Sequence, residues 1–316
     1  MPNLIKRLFF VTTFFVLSIS ILQSTAMAAF RVVCSTEDIA AITREIGGDE
    51  IDLEMLARGY RDSHFMMAKP SLMVRLSRAD MLIYQGMELE IGWLPLLIQG
   101  SRNPNIAIGQ PGLLNASLAI SPIEVPIELD RSMGDIHPFG NPHFQLDPMN
   151  GIKVAKLISE RLSQLLPESS DIFKKNLKHF SDKVQTRLKD WENRMKPFKG
   201  LKVVAYHRIW SYFFRRFGLE YGGTIEIKPG LPPTAKHLTK LVDNMRQNNI
   251  QLVIQANFYE DRSSEFIKVQ TGAKVLVLPA SVGGVEEVKS FFDLFEYLVS
   301  TFEKEAPFPA MGLTAR

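Results

Sequence analysis

Cysteine is all but missing from this 316-residue chain, where Cys34 stands alone. A single thiol excludes any intramolecular disulfide. It also makes a poor lipid-attachment site, because Val33 before it is too large for the small residue such a site needs. Cys34 therefore reads as a buried thiol on a strand. An excess of one charge is lacking too, with 37 Lys and Arg against 34 Asp and Glu. Lys6 and Arg7 lie in an N-terminal leader, so the remainder is close to neutral and gives no argument for a nucleic-acid partner. There is no low-complexity tract and no short-period repeat. Gly283-Gly284 lacks the flanking glycines and the lysine of a phosphate loop, and reads as a strand-to-helix turn.

What is present begins with two basic residues, an apolar run to about Leu22, and Ala26-Met27-Ala28. This is the pattern of a cleaved signal peptide over residues 1–28, with an uncleaved membrane anchor as the alternative. With no lipid site, the expectation is a free periplasmic protein.

The remaining length is too great for one core. Short apolar strands alternate with helical patterns, which predicts parallel sheets made of βαβ units. In the first half strands are expected at 30–35, 51–57, 81–84 and 106–108, with helices at about 36–46, after Pro70 and from near Met149. In the second half strands are expected at 202–206, 224–227, 252–255 and 274–278, with helices at about 209–217, 234–248, 262–271 and 285–303. Between the halves, Phe173, Leu177, Phe180, Val184, Leu188 and Trp191 recur every three or four residues. That is one stripe on a helix long enough, at roughly 40 Å, to brace the whole molecule. The fold class is therefore α/β: a lobe at 29–166, a linking long helix at 167–197 and a second lobe at 198–316, both lobes Rossmann-like, with the functional site in the cleft between them.

In parallel sheets the functional crevice lies beyond the carboxyl ends of the strands. Three of the six histidines fall there: His64 in the loop after the second strand, His143 in a turn before a helix, and His207 directly after a strand. Two come from one lobe and one from the other. Three neutral imidazoles make most of a tetrahedral metal shell. His179 and His237 read as surface residues. His137, six residues before His143, reads as a turn residue that could also guide or contact the ion.

The motifs around these histidines resemble those of the TroA-like (cluster A-I) metal-binding proteins of ABC importers. The resemblance rests on Arg61-Asp62-Ser63-His64-Phe65, Lys69-Pro70-Ser71, Arg78-Ala79-Asp80, Gly86-Met87-Glu88-Leu89-Glu90, Asn141-Pro142-His143 through Asp147-Pro148, and Ala205-Tyr206-His207 with Phe217-Gly218-Leu219. It covers essentially the whole mature chain. It implies two lobes bridged by a long helix and the ligands His64, His143 and His207. It further implies a membrane permease with a cytoplasmic ATPase as partners, a monomer, and no enzymatic activity. An imidazole-rich set suits Zn2+ better than Mn2+. The aspartate that many members place after the last strand is absent here, where Pro279-Ala280-Ser281 stands. The fourth ligand is then water, or a carboxylate from Glu260 or Asp261. Asp62 and Asp147 are the expected orienters of the imidazoles, Asp147 equally a helix cap. The competing reading is a three-histidine zinc enzyme with an open water position, for which Glu260 would be the general base.

Overall fold

The computed structural model describes residues 29–127, 137–228 and 230–308, so the expected signal peptide lies outside the described residues. Among them no helix is long and apolar enough to cross a membrane.

Two four-stranded sheets carry the molecule. The first contains β1 (Phe30–Cys34), β2 (Ile51–Met55), β3 (Met81–Tyr84) and β4 (Leu113–Asn115) in the order β2-β1-β3-β4. The second contains β5 (Lys202–Ala205), β6 (Glu220–Thr224), β7 (Leu252–Ala256) and β8 (Lys274–Leu278) in the order β6-β5-β7-β8. The pairs β1–β3, β3–β4, β5–β6, β5–β7 and β7–β8 are parallel. Parallel neighbours need a crossover, usually a helix, which buries the sheet on both faces. The sequence obliges: Val32, Val33 and Cys34 are buried in succession, as are all five residues of β7. Burial pushes the Cys34 thiol up to about 12, so it is inert packing.

Each lobe adds helices: α1 (Glu37–Gly47), α2 (Pro70–Leu76), α3 (Leu94–Ser101) and α4 (Pro148–Leu165), then α5 (Ser170–Met195), α6 (Ser211–Phe217), α7 (Ala235–Gln247), α8 (Arg262–Thr271) and α9 (Phe291–Glu305). Helix α5 is the expected brace. It packs on α1 and α4 from the first half and on α9 from the second. Phe173, Phe180, Val184, Leu188 and Trp191 are buried along its stripe. Phe180 meets Phe291 and Phe292 at 5.3 and 5.6 Å between ring centres, and Trp191 meets Phe295 at 5.3 Å. Burying each such ring contributes about 1.5–3 kcal/mol. The Phe291 ring lies so close to Gly151 of α4 that a Cβ there would stand 2.4 Å from it. Only glycine lets α4 and α9 meet at that point.

Three expected boundaries differ. Residues 106–108 are not a strand: Asn103 accepts the Asn105 amide at 3.0 Å and starts a single 3-10 turn, leaving Ile108 90% exposed. The strand is Leu113–Asn115 instead. The strand expected at 224–227 lies earlier, at Glu220–Thr224, and passes through Gly222-Gly223, a pair that reads as a breaker. The register shifts there: Val203 stands opposite Tyr221 and Val204 opposite Gly223, leaving Gly222 as the extra residue. The last helix begins at Phe291 rather than near 285, where Ser290 Oγ accepts the Asp293 amide at 3.2 Å. Helix α3, led in by Leu94-Pro95, had no expectation at all.

Candidate metal centre

Each candidate histidine sits at the carboxyl end of a sheet, held by a different device. His64 lies in the loop leaving β2. Asp62 Oδ1 accepts both the His64 backbone amide at 2.9 Å and its Nδ1–H at 2.6 Å, a local turn closed by one carboxylate. Trp93 Nε1 donates to the Ser63 carbonyl at 2.9 Å and fixes the loop from behind.

His143 sits in the turn before α4. Its amide donates to Asn141 Oδ1 at 2.9 Å, and Gln85, buried at the end of β3, donates to the Pro142 carbonyl at 2.8 Å and to Gln145 at 2.7 Å. Gln85 is placed by Glu90, whose carboxylate accepts from the amides of Gln85 and Gly86 and from Ser35 Oγ. Asn141 also ties this first-lobe turn to the second lobe, donating to the Arg208 carbonyl at 2.8 Å and accepting from Tyr212 at 3.2 Å.

His207 follows β5. The Glu226 amide donates to the Tyr206 carbonyl at 3.0 Å, extending the β5–β6 ladder one step, and this brings Glu226 Oε2 to 2.8 Å from His207 Nδ1.

These three loops converge. One ligand atom from each of His64, His143 and His207 lies within 4.8 Å of the others, the single such group among the described residues. The ring centres are 5.1 to 5.9 Å apart. Beside His64 and His143 is a cavity of about 20 Å³, bordered also by Asp62, Gln85, Gln145 and Ser281. It holds one water-sized body and no organic solute.

The electrostatics suit a cation. Burial, and then the neighbouring rings of His64, His207 and His137, hold the His143 pKa far below its ordinary value, so it is neutral with a lone pair to give. Among the described residues its Nε2 is buried without a partner, an arrangement that costs about 1–3 kcal/mol unless something fills it. Burial pushes the Asp62 carboxyl up, but the hydrogen bonds from His64 and the charges of His64 and His207 outweigh it, and its pKa falls. With Asp62 and Glu226 accepting at Nδ1, both imidazoles keep Nε2 for the cluster, the tautomer that a metal needs, although His64 Nε2 also meets His137. A tetrahedral ion holding nitrogens at about 2.0–2.1 Å separates them by about 3.3–3.4 Å, a small inward turn from the spacing seen.

The other candidates lie outside the three-histidine group. Glu260 is exposed, and Asp261 accepts from Gln255 at 2.5 Å. Asp147 caps α4 through the Met149 amide at 3.0 Å and pairs with Arg216 at 2.8 Å, so of its two expected readings the cap is the one seen. His179 is exposed, and His237 is half-buried against the Thr224 carbonyl at 2.9 Å. His137 stands beside the cluster, its Nε2 3.1 Å from His64 Nε2. Glu226 is the partner that sequence reasoning missed. Its signal was faint: a lone carboxylate just past a strand whose neighbour leads into His207.

Residues 32–305 match the family model described as zinc-uptake complex component A, periplasmic. The chain belongs to that family. It is 25% identical over 284 residues to the manganese ABC transporter substrate-binding lipoprotein PsaA of Streptococcus pneumoniae serotype 4, covering 87% of this chain and 88% of that protein. It is 22% identical over 264 residues to the zinc-binding lipoprotein AdcA of Streptococcus pneumoniae, covering 78% of this chain and 51% of that one. A crystal structure of ZnuA superposes with a TM-score of 0.73 at 25% identity, covering 88% of this chain and 98% of that one. The protein is thus a metal ABC transporter substrate-binding protein with two parallel-sheet lobes and a long helix.

Proposed function

We propose that this protein captures Zn2+ through His64, His143 and His207, between lobes spanning 29–166 and 198–316 joined by the helix at 167–197, and delivers it to the permease of an ABC importer driven by a cytoplasmic ATPase. The observation that carries this reading is the convergence of three imidazoles from distant loops, two of them backed by carboxylates and the third left with an unpartnered, buried nitrogen. Nitrogen donors without an ion-facing carboxylate favour zinc over manganese, which prefers oxygen. The relatives include binders of each metal by name, so selectivity is the point to test. Competition titration is expected to show Zn2+ displacing Mn2+ completely at equal concentration. His64→Ala, His143→Ala and His207→Ala are each expected to weaken Zn2+ binding by roughly a thousandfold or more, about 4 kcal/mol. Unchanged affinity in all three variants would reject the site.

The protein acts as a monomeric carrier in the periplasm after loss of residues 1–28, and not as an enzyme. Asp62 and Glu226, the carboxylates beside the rings, are engaged in orienting them, and exposed Glu260 is not at hand as a general base.

A further inference from the structure

Three imidazoles leave a tetrahedral ion one donor short. Most of the nearby carboxylates are already committed: Asp62 to His64, Glu226 to His207, Asp38 to the Val282 amide at 2.9 Å and Asp261 to Gln255, while Glu260 is exposed and outside the three-histidine group. Beyond β8, where a carboxylate would face the cluster, the chain offers Pro279, Ala280 and Ser281. One nitrogen does come close. The Nε2 atoms of His137 and His64 are in hydrogen-bond contact at 3.1 Å, a spacing also near the roughly 3.3–3.4 Å that two nitrogens keep when they share a tetrahedral zinc. Their ring centres are 5.2 Å apart, as close as the 5.1 Å between His64 and His143 and closer than the 5.9 Å between His64 and His207.

The backbone makes this approach a built feature. His137 begins a turn in which the Gly140 amide donates to the His137 carbonyl at 3.1 Å, and Gly140 takes φ +101°, a value that side chains avoid. The Asn141 amide then donates to the Ile123 carbonyl at 2.9 Å. The turn that presents His137 is therefore fastened to the same Asn141 that orients His143.

We propose that His137 supplies the fourth nitrogen, so that the ion is held by four imidazoles, three from the first lobe and one from the second. This deepens the three-histidine reading and rests on it. His137 lies outside the 4.8 Å group, so its ring moves inward on loading. A shell closed in this way leaves no position for water, which suits a carrier and denies a hydrolase its nucleophile.

The test uses the full mature chain loaded with Zn2+, and with Co2+ as a coloured substitute. X-ray absorption of the zinc form is expected to count four imidazole nitrogens and no oxygen. The cobalt form should show the intense visible bands of a four-coordinate ion. His137→Ala should still bind one ion per chain, with affinity lowered about tenfold to a hundredfold, weaker bands, and a coordinated water in its place. A shell of three imidazoles and one oxygen in the unaltered protein overturns the proposal and leaves the three-histidine site standing. So does a His137→Ala variant with unaltered affinity and spectrum while His143→Ala has lost the metal. An unaltered protein that binds neither Zn2+ nor Co2+ overturns both readings together.

Discussion

The two sides of the cleft orient a histidine in different ways. On the first lobe Asp62 reaches His64 across two residues, and one oxygen serves both the ring and the backbone of the same turn. On the second lobe Glu226 reaches His207 from the next strand, nineteen residues away, and touches only the ring. The first device is complete within a short peptide. The second exists only once β5 and β6 have paired. A local turn can thus preset one donor, whereas the other is set by the sheet.

The contrast breaks most completely when both sides lose their common support. Phe180→Ala, which empties the contact between α5 and α9, is expected to cost about 3–5 kcal/mol in unfolding free energy. Denaturant melts would show it, and a cost below about 1 kcal/mol would show that the helix is not the brace.

The contrast is sharpened by removing each carboxylate in turn. Asp62→Ala and Glu226→Ala should each lower zinc affinity about tenfold to a hundredfold, or about 1.4–2.7 kcal/mol. They should differ in the metal-free protein. Asp62→Ala also frees the His64 amide and should lower the melting temperature, while Glu226→Ala should leave it almost unmoved. Equal melting temperatures would erase the distinction between a turn-held and a sheet-held histidine.

A smaller effect concerns a third carboxylate that serves neither histidine. Asp38 of α1 is buried where the lobes meet and accepts the Val282 amide. Burial pushes its pKa up from 3.8 to about 7, against the hydrogen bonds from Val282 and Ser281. A carboxyl raised in the folded state contributes stability that is fully present below its unfolded pKa and is lost as pH rises through about 7. Asp38→Asn should therefore flatten the fall in metal-free stability between pH 4 and pH 8. Melting curves at several pH values would reveal an unchanged slope if Asp38 has no such part.

Much of this was legible in advance, for identifiable reasons. Strands such as Met81–Tyr84 and Lys274–Leu278 are short, apolar and sharply bounded, and the stripe on α5 repeats over several turns. Asp62 was readable because its partner is two residues away. Glu226 was not: it fell within the strand expected at 224–227, but strand pairing is a tertiary fact, and nothing local shows that its side chain meets His207. Ile106 and Ile108 misled for a related reason: one is buried and the other lies in solvent, which apolarity alone does not distinguish. The closeness of His137 to His64 also depends on a turn fastened from afar, at Ile123.

The chamber of about 20 Å³ beside His64 and His143 bears on what can accompany an ion. It has room for about one water-sized body. A cation held by the neighbouring rings would keep no full coat of waters there, so the imidazoles would take the place of its hydration and not add to it.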